Sequence, residues 1–582
     1  MPSTVTHERI SVGPWTAGIH QTLERLQQER WSERLWRLDA GIWTTDGSRQ
    51  GAIRARLGWL TAPELMRPRC AELEAFAAEV QGAGFTEVLL LGMGGSSLCA
   101  EVCQLTFAPP PGFPVLAVLD TTDPATIRAC EQTRELRRTL FLVSSKSGTT
   151  TETLALFRHF AEKAQEAGGP RWGEQFVAIT DPGSPLERLA RESRFRRCVL
   201  NPPDIGGRYS ALSYFGLVPA ALMGVDVATI LDRALRMARA CGPGVPTPDN
   251  PGVRLGVILA ELARARRDKV TFVLPSEVAA FGAWTEQLVA ESTGKEGRGL
   301  IPVDGEPIGD PRVYGDDRVF VTLELGPGGA ADLAARLEAL EQMGHPVVRI
   351  ALADPIDLGA EFFRWELATA VAGALLAVDP FDEPDVQESK ERTSRLLAGD
   401  PGVGESLQAA VAREDALVLS GEVASRGGTQ GRSLAERLAA HLLQGRSGDY
   451  LALLAYLPCT AVIHERLQRI RVRVRETLRV ATTLGYGPRY LHSTGQLHKG
   501  GPGNGLFLQL TAEDAVDLPV PGEAYTFSRL KQAQALGDLQ ALRARGRRAI
   551  RVHLGPDPVA GLAQLEQVLL RSLGGGGSGV GG

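Results

Sequence analysis

The chain is predicted to be an α/β protein built on parallel sheets, and three observations predict it. From residue 85 onward, short apolar runs alternate with longer segments of helical periodicity. Each apolar run ends in a glycine-rich or polar turn, the pattern of strands joined by crossover helices that cover both faces of a sheet. The same order of signals then returns late in the chain, which adds a third unit. The 582 residues leave room for about three to five domains.

Residues 1–68 read as a helical lead, with apolar residues at three- and four-residue spacing from Leu23 to Leu38. Trp31, Trp36, Trp43 and Trp59 read as core anchors. A first unit, 69–240, carries strands at 85–92, 115–120, 139–145 and 176–180. A second, 241–400, carries strands at 270–276, 318–325 and 347–353, between helices at 253–266 and 359–378. Residues 401–450 read as a helical or irregular linker, with stretches such as SRGGTQGRS. A C-terminal α/β unit, 451–573, precedes a glycine tail, 574–582, with no side chains to bury and predicted to be disordered.

The C-terminal unit echoes the second. Leu-Pro recurs after 183 residues, Ser-Thr-Gly after 201, the VVRI/AIRV strand after 202 and Asp-Pro after 203. These offsets predict a degenerate duplication of about 120 residues. Glu291 and His492, each directly before Ser-Thr-Gly, would then hold equivalent places.

Composition excludes several classes. Acidic residues (68) nearly balance basic ones (63), which argues against an obligate nucleic-acid or membrane-surface binder. The longest apolar run, near 368–378, is too short to span a bilayer, and residues 1–30 lack an apolar signal core. Seven cysteines, odd in number and without a C-x-x-C pair, disfavour disulfides or zinc and make a reducing cytoplasm the default. Only seven basic residues are lysine (Lys146, Lys163, Lys269, Lys295, Lys390, Lys499 and Lys531), so each marks a place where the prevailing arginine was not used.

Four segments carry chemistry. GMGGSSLCAEV (92–102) turns from strand to helix and gathers backbone N–H groups around one point; locally, a tight turn explains its glycines as well as an anion site does. SSKSGTTTET (144–153) packs seven hydroxyls and Lys146 at a strand end, a metal-free cradle for phosphate, with Glu152 directed away along the helix. GGRYS places Arg208 after two glycines that permit close approach, although a surface ion pair explains this arginine equally well on local grounds. EQLVAESTGKEGRG ends a helix with Glu291, where the dipole disfavours a carboxylate; a raised pKa there would suit a general base, and an exposed glutamate is the commoner reading.

Taken together, these segments resemble the phosphoglucose isomerase family. The order is a GxGGS turn, an S-K-[ST]-x-[ST]-T-x-E-T loop, G-G-R-[YF]-S, E-[AS]-x-G-K, and F-D-x-x-x-V-x-x-x-K ending at Lys390. The resemblance covers roughly residues 35–400, and YLHSTGQLHKGG extends it toward the isomerase part of bifunctional transaldolase/phosphoglucose isomerases, without a transaldolase segment. It implies tandem sugar-isomerase (SIS) domains of three αβα layers, the third unit being a degenerate copy. It also implies interconversion of glucose 6-phosphate and fructose 6-phosphate through a cis-enediolate, with no metal or organic cofactor.

By the same resemblance, Ser145, Ser147, Thr150 and Thr153 bind the phosphate, with Lys146 adjacent, and Gly95 and Ser96 line the sugar. Glu291 moves the proton between C2 and C1, Arg208 stabilises the enediolate, and Gln287, one turn before Glu291, contacts substrate. Lys390 and a histidine open the ring. Short relatives carry L-H-S-x-G-Q about twenty residues after the base; here it lies at 491–496, which favours His492, then His498, with His345 a distant third. The partner is a small sugar phosphate, and the assembly is either a homodimer or a monomer whose C-terminal unit acts in cis. The alternatives are a related isomerase, such as one for mannose 6-phosphate, and a non-catalytic sugar-phosphate binder.

Overall fold

A computed structural model describes residues 8–326, 331–398, 410–421 and 433–574. The lead expected to be helical opens with a strand, β1 (Glu8–Ser11). It is too short and half-buried to show an alternating pattern, and it adds to the sheet of the second unit rather than standing apart. The helices that follow bury Trp31, Trp43 and Trp59 in one core with the first and second units. Burial of each such side chain stabilises by about 1.5–3 kcal/mol.

In the first unit, β2 (Glu87–Gly92), β3 (Val115–Leu119), β4 (Thr139–Ser144), β5 (Phe176–Thr180) and β6 (Arg197–Leu200) form a parallel sheet in the order β3-β2-β4-β5-β6. In the second, β7 (Lys269–Phe272), β8 (Ile301–Val303), β9 (Arg318–Leu325) and β10 (Val347–Leu352) pair in the order β8-β7-β9-β10, with β1 antiparallel at the far edge. In the third, β11 (Ala410–Glu414) and β12 (Leu417–Ser420) make a hairpin. It extends β13 (Tyr450–Tyr456), β14 (Ala481–Tyr486), β15 (Gly505–Thr511) and β16 (Arg548–His553), which pair as β14-β13-β15-β16.

All three units therefore set the second strand at the edge, then the first, third and fourth. In such a sheet the chain reverses direction between the first and third strands and leaves a crevice at their carboxyl ends. In the first unit that crevice lies at the ends of β2 and β4, where the glycine turn and the Ser/Thr loop begin.

Three expectations change. The sheets are parallel at their centres, with antiparallel strands at two edges. The stretch expected to be linker supplies the β11–β12 hairpin and the helix Leu434–Leu442, which buries Leu434, Leu438 and Leu442 in the third core; residues 401–409, 422–432 and the tail from 575 lie outside the described residues. The duplication holds for strand order, but its Ser-Thr-Gly segments are not equivalent. Ser292 ends a helix before β8, whereas Ser493 follows β14, so the 201-residue match aligns different turns.

The third unit packs on both others. Tyr450, Leu454 and Leu497 share a core with Ala290, Ile301 and Val303 of the second, and Leu518, Phe527 and Leu530 join that of the first. Among the described residues no helix is long and apolar enough to cross a membrane.

Candidate active site

The glycine turn after β2 is set by close approach. A Cβ on Gly95 would lie 2.1 Å from the Gly207 carbonyl oxygen, so glycine alone lets this turn meet the segment that carries Arg208. Gly94 has φ +55°, and a Cβ there would lie 2.7 Å from the His492 carbonyl oxygen. Turns from the first and third units thus touch. Ser96, half-buried, accepts a bond at its carbonyl from Ser144 Oγ at 2.8 Å.

The Ser/Thr loop runs from β4 into the helix Thr151–Gly168, with Thr150 as N-cap. Ser145 Oγ accepts from the Gly148 N–H at 3.1 Å and lies 3.0 Å from Thr150 Oγ1. Ser147 is exposed and pairs with Thr149 Oγ1 at 2.9 Å. Thr153 Oγ1 is buried with no partner among the described residues. The N–H groups of the first helical turn lack intrahelical acceptors by geometry and carry the positive end of the dipole. Hydroxyls, free N–H groups and an orphaned Thr153 together make an anion cradle.

Lys146 does not face it freely. Its ammonium is held by Asp181 and by the Pro203 carbonyl (2.9 Å), so it fixes the loop. The other lysines near the site act alike. Lys295 binds the Asp379 carbonyl and Asp382 Oδ1, both at 2.7 Å, and Lys499 pairs with Asp538 at 2.6 Å. The backbone of Lys390 lies on the helix Val386–Leu397, and its side chain is outside the described residues.

Glu291 occupies the last turn of the helix Phe281–Thr293, and it is buried, not exposed. Gln287 Nε2 donates to Glu291 Oε2 at 3.0 Å and to the His492 carbonyl at 2.8 Å, which ties the carboxylate to the histidine loop. Arg208 is also buried. It donates from Nε to Ser292 Oγ (2.9 Å) and from Nη2 to the Pro380 and Asp382 carbonyls (2.8 Å each). Its Nη1 lies 3.1 Å from Glu383 and 3.4 Å from Glu291. Burial pushes the Glu291 carboxyl above its ordinary range, and the Glu383 charge adds to that; the Arg208 guanidinium opposes it. Arg208 is held above its usual value by Glu291 and Glu383 against the cost of burial.

Glu152 turns back into the site, contrary to expectation. Its Oε1 lies 2.9 Å from His492 Nε2 and accepts from Gln534 Nε2 at 2.7 Å. The histidine candidates separate clearly. His492 meets first-unit and second-unit residues. His498 is sealed among Tyr450, Tyr490 and Phe507, where burial lowers its pKa well below the ordinary value. His345 packs on Tyr314 and Phe320. Sequence reasoning missed Glu152, Gln534 and Glu383; the last sits within the FDEPDV segment already singled out.

A buried carboxylate paired with a guanidinium can exchange a proton, and a hydroxyl-rich loop at a helix N-terminus can hold a phosphoryl group. Residues 66–298 match the family model for phosphoglucose isomerase. Glucose-6-phosphate isomerase of Rubrobacter xylanophilus is 32% identical over 404 residues, 60% of this chain and 93% of the relative. A probable glucose-6-phosphate isomerase of Haloarcula marismortui is 30% identical, over 54% of this chain and 78% of its own. Among solved structures, a hypothetical protein from Thermus thermophilus superposes with TM-score 0.58 at 24% identity, over 68% of this chain and all (100%) of its own. A glucose-6-phosphate isomerase from Chlamydia trachomatis gives 0.56 at 19%, covering 68% and 89%; these two share the fold. The chain belongs to the phosphoglucose isomerase family.

Proposed function

We propose that the protein interconverts glucose 6-phosphate and fructose 6-phosphate at this site. The observation that supports this best is the buried Glu291 beside Arg208, linked through Gln287 to the His492 loop. Ser145, Ser147, Thr150 and Thr153, with the first turn of their helix, hold the phosphoryl group. Gly95 and Ser96 bound the sugar. His492, oriented by Glu152, moves the proton at the ring oxygen as the ring opens, and Lys390 shares that step. Glu291 then takes the proton from C2 and returns it to C1, its raised pKa bringing it nearer the strength a base needs at neutral pH. Arg208 stabilises the negative oxygen of the enediolate, an interaction that strengthens as charge develops.

The histidine comes from the third unit of the same chain, which supports a complete site within one protomer. The test is a coupled assay of glucose 6-phosphate formed from fructose 6-phosphate. Glu291→Gln should lower kcat by about 10²–10⁴-fold, the usual contribution of a positioned base. Equal rates in the two proteins would refute the assignment.

A further inference from the structure

A cavity of about 850 Å³ lies behind the proposed site. It opens where the carboxyl ends of β3, β7, β8, β13 and β14 converge, so all three sheets contribute, through Leu119, Phe272, Asp304, Leu457 and Tyr486 among others. Carboxyl ends of parallel strands are where such folds hold ligands, and this volume is within the range of small-molecule sites.

Its polar groups are unevenly committed. Arg489 is spent on Glu101 (2.6 Å) and Asp120 (3.2 Å). Glu286 has no hydrogen bond or ion pair among the described residues, and the Asp304 carboxyl receives only the Gly305 N–H. Burial raises both: Glu286 to about 8, with the Asp304 charge adding, and Asp304 to about 6. Arg471 is 1% exposed. Its Nε and Nη2 serve Thr482 and the Asp304 carbonyl, while Nη1, beside the cavity-lining Gly305, has no partner among the described residues. Gln468 Oε1 is likewise buried and unpartnered. Gln468 and Arg471 lie three apart on the helix Ala461–Leu478 and share the face that borders the cavity. The rest of the wall is largely apolar.

We propose that this cavity is a second ligand site, for a small organic ammonium compound that also carries a hydrogen-bond acceptor. The ammonium sits between Glu286 and Asp304, the acceptor meets Arg471 Nη1, and the apolar body lies on Leu274, Ile308 and Leu457. Five carboxyl residues (Glu101, Asp120, Glu286, Asp304 and Glu306) and two guanidiniums line it, which disfavours a sugar phosphate or any other anion. The walls are the reverse faces of the proposed site. Glu286 adjoins Gln287 on one helix, and Arg489 lies three residues before His492.

Saturation-transfer NMR on the full chain, at a pH above the raised Glu286 value so that this carboxylate is charged, with leucinol and phenylalaninol against their deaminated alcohols, tests this without reference to isomerase activity. The amino alcohols should show transfer and the deaminated alcohols should not. Glu286→Gln should weaken binding at least about tenfold, as expected for loss of a charge-assisted contact, while Glu291→Gln leaves it intact. If Glu286→Gln does not fold, Asp304→Asn makes the same comparison. Equal transfer to the deaminated alcohols, binding unchanged in the folded variant, or no transfer to any probe would each overturn the proposal.

Discussion

Glu152→Gln separates ring opening from isomerisation. In the native chain Glu152 Oε1 sits 2.9 Å from His492 Nε2, with the two side chains 8% and 14% exposed, so little solvent screens the pair. The glutamine keeps the shape, and its oxygen can still accept from Gln534 and His492, while the negative charge beside His492 is lost. A hydrogen bond to a charged group contributes about 1.5–3 kcal/mol and a neutral one about 0.5–1.5. The difference, about 1–1.5 kcal/mol, corresponds to a rate loss of roughly 5–15-fold in any step where His492 carries a proton. Glu152→Ala should cost more, about 100-fold, because it leaves Gln534 Nε2 and His492 Nε2 unpartnered in a buried place. The assay compares fructose 6-phosphate with 5-deoxyfructose 6-phosphate, which lacks the hydroxyl that closes the furanose ring. The loss should appear with the first substrate and largely vanish with the second. Equal losses on both would refute a ring-opening role for the Glu152–His492 pair.

Three further outcomes are expected. Thr153→Val removes a buried hydroxyl that has no partner among the described residues, so the melting temperature should not fall, while KM for the sugar phosphate rises about 5–10-fold; an unchanged KM removes Thr153 from the phosphate cradle. Glu291 must be ionised to accept a proton, so activity falls as pH drops through its raised pKa; Glu383→Gln removes a charge that raises it, and the acid limb of kcat/KM should move to lower pH. With His492 supplied in cis, specific activity at low nanomolar enzyme should survive dilution to a light-scattering monomer; activity lost in step with dimer dissociation would count against it.

The central strands were legible because they are buried on both faces and read as unbroken apolar runs: FVAIT and RVFVTLEL match β5 and β9 residue for residue. What escaped was edge structure. β6, β8 and the β11–β12 hairpin are short, and β14 (ATTLGY) is diluted by two threonines and a glycine. In the site, Glu291, Arg208 and Gln287, which the family resemblance singled out, lie together in one buried cluster. Glu152 was misread for a geometric reason. Helical side chains lean toward the N-terminus, so a carboxylate in the first turn reaches back over the loop it follows. Lys146 and Lys295 bind protein acceptors for a chemical reason. A compact ammonium with three donors suits a clamp onto a carboxylate and backbone carbonyls, which is how the half-buried Lys146 and the buried Lys295 are used.

The third unit repeats the strand order but not the ligand-binding ends. In the first unit, β2 and β4 run into Gly94–Ser96 and the Ser/Thr loop; in the third, the equivalent β13 and β15 run into Leu457-Pro458-Cys459 and Thr511-Ala512-Glu513. Neither end offers glycine or a hydroxyl run, so this crevice lacks a phosphate cradle. The contribution comes instead from the turn after β14. That strand pairs only with β13 and lies at the sheet edge, so its turn is free to project beyond the unit. Arg489 anchors the turn to Glu101 and Asp120 of the first unit, and Gln287 of the second holds the His492 carbonyl. An edge strand anchored at both neighbours delivers one histidine with fixed geometry. Under the function proposed above, the third unit, without a phosphate cradle of its own, completes the site of the other two.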